Sequence, residues 1–268
     1  MKYNDRAPLD PSQLDGSRRP SGAVALGGGA GAIVVIVIAL LFGVDPGAAL
    51  RGPVTAGQGA GRPTAFAQCT RGSDISADRD CRFVAYTNSI QDYWRDAADD
   101  YQVIRVNTFE ASTSTGCGRA TSDVGPFYCP ADSSVHLDLG FFDQLTGQLG
   151  AKGGDAAEAY VLAHEFGHHI QHLTGAMARV QGGTQDAGPK SPGVRLELQA
   201  DCYAGVWFSH ATGDADSPIT EISREDLARA VDAAAAVGDD RIQQKIQGQV
   251  TPESWTHGSA ANRQKWLL

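Results

Sequence analysis

The chain of 268 residues lacks what several functional classes require. Basic side chains are outnumbered, 22 Lys and Arg against 31 Asp and Glu, for a formal net charge of −9. That balance argues against broad electrostatic binding to nucleic acid. No glycine-rich loop stands between a strand and a helix, because Gly27-Gly28-Gly29 lies inside an apolar run, so a nucleotide phosphate has no cradle. Internal repeats are missing. Cysteine is scarce, with five residues and no C-x₂-C pair, which weakens any four-cysteine zinc site.

What is present is concentrated in residues 164–168, His-Glu-Phe-Gly-His. On a helix His164 and His168 stand at i and i+4, one turn apart on one face, so both imidazoles can reach one zinc ion. Glu165 lies beside them as a general base. From the chain's own His and Glu frequencies, this pattern arises by chance in roughly half a per cent of such sequences. Asp155 suits an N-cap with Glu158 three residues on, and Gly153-Gly154 and Gly175 punctuate the segment. The bland alternative is an amphipathic helix with solvated histidines. A three-histidine site would need Gly and His three and six residues after His168. Gln171 and Thr174 stand there, and His172 is off by two. His169 and His172 therefore read as surface or supporting residues.

A third ligand is sought in residues 193–209, where Leu198, Cys202, Gly205 and Val206 recur at helical spacing. Glu197 and Asp201 are four apart and share a face. Zinc sites of the His₂Glu type take a carboxylate from a later helix and leave one position for water. Glu197 is the expected ligand. Asp201, one turn on, is expected to hold a metal-bound imidazole by its other N–H. The competing reading is a solvated acidic edge.

Residues 22–44 are apolar, uncharged and long enough to cross a bilayer. Lys2, Arg6, Arg18 and Arg19 precede them, so the positive-inside rule predicts a cytoplasmic tail at 1–21, polar and disordered, and an extracytoplasmic domain. A cleaved signal peptide ending at Ala65-Phe66-Ala67 is the alternative, but that site lies far beyond the apolar run. Residues 45–68, rich in Gly, Ala and Pro, read as a flexible linker to a domain at 69–268. Cysteine usage fits export. Connectivity is not fixed by sequence, but Cys69–Cys81 and Cys117–Cys129 are the simplest local pairs, leaving Cys202 as a small buried thiol.

Residues 82–101 read as helix, and 103–107 and 135–139 as alternating strands separated by a polar loop at 112–125. An edge strand at 133–139 would bind a peptide backbone by β-addition, with His136 exposed or structural. Residues 176–194 read as a loop. Residues 223–247 read as helix broken near Gly238, with Glu225, Asp226 and Arg229 solvated. Ser259 caps a last helix.

Several separated blocks resemble the bacterial neutral zinc metallopeptidase family. They are Gly125-Pro-Phe-Tyr-Cys-Pro130, Leu137-Asp-Leu139, His164 to Gln171, Arg195 to Trp207, Gly238-Asp-Asp-Arg-Ile-Gln243 and Thr256-His-Gly-Ser259. The resemblance covers residues 69–268. It implies an α+β, zincin-like metallopeptidase domain, mostly helical with a small sheet, which the apolar run 22–44 places behind one N-terminal transmembrane helix. More distantly the chain is similar to membrane-associated gluzincins with H-E-x-x-H and a later E-x-x-x-D. That similarity supports Glu197 and Asp201. It also brings His257 and Arg263 toward the site through their spacing after Thr256, although Gly258 replaces the usual Pro.

The expectation is a membrane-anchored, zinc-dependent endopeptidase acting on protein or peptide outside the cytoplasmic membrane. His164, His168 and Glu197 would bind Zn²⁺, Glu165 would take the proton of the attacking water, and His257 would help stabilise the oxyanion. A hydrolase of cell-wall peptides keeps that chemistry with another substrate. The alternative is a non-catalytic envelope protein, stabilised by zinc, that binds peptides or partners.

Overall fold

The computed structural model describes residues 1–16, 65–181 and 186–268. Among them the chain is mixed α+β. The strands are β1 (Lys2–Tyr3), β2 (Leu14–Gly16), β3 (Arg105–Phe109), β4 (Ser112–Thr115), β5 (Gly118–Thr121), β6 (Phe127–Cys129), β7 (Ser134–Asp138) and β8 (Ile219–Glu221). The helices are α1 (Asp74–Ala77), α2 (Cys81–Ala97), α3 (Phe141–Gly147), α4 (Asp155–Leu173), α5 (Ala176–Gln181), α6 (Pro192–His210), α7 (Arg224–Ala236), α8 (Asp239–Gln247) and α9 (Ala260–Leu267). No described helix is long and apolar enough to cross a membrane, and the apolar run 22–44 lies outside the described residues.

The main sheet has the order β2-β3-β7-β6, parallel across β2, β3 and β7 and antiparallel at β6. This corrects the expected edge strand. β7 is hydrogen-bonded on both sides, with Val135 opposite Val106 and Tyr128, and among the described residues the edges of this sheet are β2 and β6. Alternating apolar residues mark a strand but do not say which neighbours it acquires.

Helix α4 is buried along nearly its whole length, from Ala156 to Gln171, which accounts for its small side chains. Its start differs from the expected capping box. Gly154, at φ 101°, is the N-cap, and no side chain caps the helix. Asp155 instead pairs with Arg79 at 2.5 Å and accepts from Tyr3 Oη at 2.9 Å. Glu158 forms a two-pronged, buried pair with Arg82 of α2. Burial left Glu158 needing a partner, which Arg82 supplies, while the half-buried Asp155 is drawn to Arg79 and Tyr3 instead of to its own helix N-terminus. Helix α6 begins with Ser191 accepting from Val194 N–H and with Pro192 in its first turn. Gly167 lets α4 and α6 close together, since a Cβ there would lie 3.0 Å from the Ala200 backbone. The two helices carrying the candidate ligands are thereby held in contact.

Residues 1–16 are not disordered as expected. β2 extends the main sheet, β1 pairs with β8, and Leu9 and Leu14 enter the core. Asn88 on α2 brackets Asp10 with two hydrogen bonds. Phe66, expected in a flexible linker, is fully buried. Residues 1–16 and 65–68 therefore pack with the described residues that follow position 69.

Two disulfides, Cys69–Cys81 and Cys117–Cys129, match the local pairing, and Cys202 is a free thiol. The 223–247 segment divides at Gly238 into α7 and α8. Ser223 caps α7 in a capping box with Asp226, which also binds the N-terminal ammonium at 2.7 Å and so is not merely solvated. Ser259 caps α9. The segment 176–194 contains α5.

Candidate metal centre

Helix periodicity brings His164 and His168 to one face of α4, with ring centroids 4.8 Å apart. Glu197 comes from α6 to meet them. Its Oε2 lies 3.2 Å from His164 Nε2 and its Oε1 lies 3.5 Å from His168 Nε2. The three residues are buried, and one donor atom from each lies within 4.8 Å of the others. Two imidazole nitrogens and a carboxylate oxygen form a donor set that suits zinc.

The remaining nitrogens are occupied. His164 Nδ1 lies 2.9 Å from Asp201 Oδ1, and His168 Nδ1 lies 2.9 Å from Gln171 Oε1. Each partner can accept an N–H at Nδ1, which leaves the Nε2 lone pair directed at the cluster. Asp201 was expected in this position; Gln171 was not. Its place three residues after His168 on the same helix was the available signal.

Burial opposes charge on His164, but Asp201 and Glu197 outweigh it and push the imidazole up to about 9. Burial instead dominates at His168, lowering it to about 4. Burial would also raise Glu197, yet His168, His257 and His164 hold it ionised, well below the usual carboxylate range. An ionised Glu197 and a neutral His168 are the ligand forms a cation needs, whereas His164, which its carboxylate neighbours keep protonated in the metal-free site, must give up its Nε2 proton as the cation binds.

Glu165 is not among the three converging residues, but it lines the same cavity. Burial pushes its carboxyl up to about 7, against the opposing influence of His164, while the Tyr128 N–H of β6 donates to it.

His257 and Arg263 both reach the site. His257 lines the cavity and stands on a turn organised by Asp239, the first residue of α8. Asp239 Oδ2 accepts from the backbone N–H groups of Thr256, His257 and Gly258 at 2.7, 2.7 and 2.8 Å. Gly258 adopts φ 92°, so it fills a left-handed position that Pro cannot take. Arg263 donates through Nε to Asp201 Oδ2 at 2.9 Å and through its terminal nitrogen to Asp201 Oδ1 and Tyr160 Oη. Tyr160 in turn donates to Asp201 at 2.6 Å. Asp201 therefore joins α4, α6 and α9 behind His164. Tyr160 and Asp239 had no assigned role in the sequence.

The other histidines lie elsewhere. His169 is buried between Tyr128 Oη and the Gln102 carbonyl, and His172 bonds to the same Tyr128 hydroxyl. His136 is structural, stacked on Phe127 and 3.1 Å from Asp132.

Comparison with known proteins agrees with this geometry. The family model described as "Putative neutral zinc metallopeptidase" matches residues 5–268. An uncharacterised protein of Mycobacterium tuberculosis H37Rv is 46% identical over 235 residues, covering 85% of this chain and 80% of its own. The uncharacterised protein YpfJ of Escherichia coli K12 is 36% identical over 285 residues, covering 100% of this chain and 93% of its own. No solved structure matches. The chain belongs to the neutral zinc metallopeptidase family.

Proposed function

We propose that the chain is a zinc-dependent endopeptidase that hydrolyses peptide bonds through a Glu general base. The carrying observation is Glu165: a buried carboxylate that stands outside the ligand cluster but lines the same cavity. A purely structural zinc site has no use for such a group, whereas a general base works best with a pKa near the operating pH. His164, His168 and Glu197 would hold the ion. When bound, zinc supplies Lewis acidity to the peptide carbonyl and to a water. Glu165 accepts the proton of the attacking water at its carboxylate and passes a proton to the leaving amine. His257, raised above its ordinary pKa because Glu197 and Asp239 outweigh burial, presents an N–H toward the developing oxyanion. The free edge of β6 beside Glu165, rather than β7, aligns the peptide backbone.

The enzyme acts outside the cytoplasmic membrane, in keeping with its two disulfides, and associates with that membrane through residues 22–44. The pairing of β2 with β3 supports placing residues 1–16 on the same side as the domain, whereas the arginine pair supports a cytoplasmic tail at 1–21.

The test is cleavage of a peptide mixture by the zinc-loaded full chain beside its Glu165→Gln variant. The variant should bind zinc as wild type does and lose about 10²–10⁴-fold in turnover. Equal cleavage by both would remove Glu165 from the mechanism. Stoichiometric zinc without cleavage by wild type would favour the zinc-stabilised binding protein.

A further inference from the structure

We propose that the cavity beside the ligand cluster is a side-chain subsite selecting a bulky apolar residue next to the scissile bond. This rests on the peptidase reading and names its substrate class. The walls come from separate elements. Val161 lies on α4 one turn before His164, Phe141 on α3, and Val124 just before β6. Leu149, Val237 and Ile242 complete the apolar surface. Gly125, at φ 76°, turns the chain here with its Cα side against the Phe141 ring, where an added Cβ would make contact at 3.4 Å. These walls continue into the site without a break, since His164, Glu165, His168 and Glu197 line the same cavity.

The charged groups on the lining stand at the ligand-cluster end of the cavity, and none stands among its apolar walls. Arg263 is committed to Asp201 and Tyr160. His257 rests on the turn held by Asp239 and lies 3.4 Å from its Oδ1. Glu165 accepts from Tyr128 N–H, and Glu197 faces the two histidines. An acidic or basic substrate side chain laid against these walls would lose its water and meet no counter-ion on them, which is strongly unfavourable. A small side chain would leave the walls unfilled. A leucine- or phenylalanine-sized group covers them and displaces water. Arg263 looks like a selector for acidic residues only until its partners are counted.

The experiment uses the zinc-loaded full chain and a peptide series in which the two residues flanking one bond are varied separately among Leu, Phe, Ala, Glu and Lys. At one of the two positions, kcat/KM should fall about tenfold or more from Leu to Ala, and further for Glu and Lys. Two variants alter the walls in opposite directions. Val161→Ala widens the cavity and should raise the Phe-to-Leu ratio; Ile242→Phe narrows it and should lower the same ratio. Cleavage with no apolar preference at either position, or with both variants leaving the ratio unchanged, overturns this inference and leaves the peptidase standing. No cleavage of any peptide with zinc bound overturns both.

Discussion

Gln171 contacts no metal-binding atom of the cluster, yet it fixes which nitrogen of His168 can serve as one. Its Oε1 lies 2.9 Å from Nδ1, and its amide donates to the Leu196 carbonyl of α6 at 2.7 Å. Gln171→Ala should therefore free the ring and weaken zinc binding about 10–100-fold, read by competition with a chelating dye. An unchanged zinc affinity would show that packing alone orients His168. Asp239 offers a pH-dependent counterpart. Its carboxyl would be raised by burial, but His257 and the surrounding N–H groups hold it below the usual range, while His257 is raised. A depressed acid contributes stability above its unfolded value, near pH 4, and loses it as pH falls. A raised histidine contributes below about pH 6.5 and loses it as pH rises. In metal-free protein the stability gap between wild type and Asp239→Asn should thus be widest, about 1.5–3 kcal/mol, between pH 4 and 6.5 and narrow on both sides. Thermal melts across pH decide this; a gap constant from pH 3 to 8 would mean that the pair carries no charge interaction. The residue pattern made His164, Glu165, His168, Glu197 and Asp201 legible because helix spacing converts directly into shared faces. Gln171, Tyr160 and Asp239 were not legible in the same way. Their importance lies in which distant atom each reaches, and sequence spacing does not carry that.

Helices α4 and α6 form the frame that holds the carboxylate against the histidines, and Gly167 packs directly on Ala200 where they meet. A methyl group there would press on Ala200 Cα and carbonyl oxygen at 3.0 Å, so backbone must move rather than a side chain. Gly167→Ala gains helix propensity but overpacks the crossing, for a net loss of about 1–3 kcal/mol. Because Glu197 travels with α6, zinc affinity should fall together with the melting temperature. Loss of stability with unchanged zinc affinity would separate the crossing from the metal centre. At this level the sequence spoke unevenly. The two long helices, the break near Gly238 and the Ser259 cap followed from periodicity and capping residues. The sheet order did not, and an interior β7 was read as an edge. Asp155 and Glu158 also misled, because a capping pattern and a pair of buried ion-pair partners look alike until Arg79, Arg82 and Tyr3 arrive from elsewhere in the fold.

The N-terminal residues draw the distant parts of the molecule together. Met1 binds Asp226 of α7, Tyr3 bonds to Tyr86 of α2 and Asp155 of α4, and Gln91 of α2 donates to Gln13. Their apolar anchors, Leu9 and Leu14, are separated by polar residues and give no periodic signal, so the segment reads as a tail in sequence although it is an integral strand. Burying two leucines is worth about 3–6 kcal/mol, a large share of the 5–15 kcal/mol that holds a typical domain together. Removal of residues 1–16 should accordingly unfold the domain or lower its melting temperature steeply, and a synthetic peptide of residues 1–16 should restore it in part. A strand paired with Val106 and Asn107 cannot lie across a bilayer from them. We therefore propose that residues 1–16 and the domain carrying the candidate metal centre face the same compartment. The positive charges before the apolar run argue for opposite sides, whereas the pairing of β2 with β3 requires the same side. Single cysteines placed at exposed Arg6 and Asp99 would decide between these forces in intact cells. A membrane-impermeant thiol reagent should label both positions or neither; labelling at Asp99→Cys with protection at Arg6→Cys would mean that β2 is not part of the folded sheet in the cell.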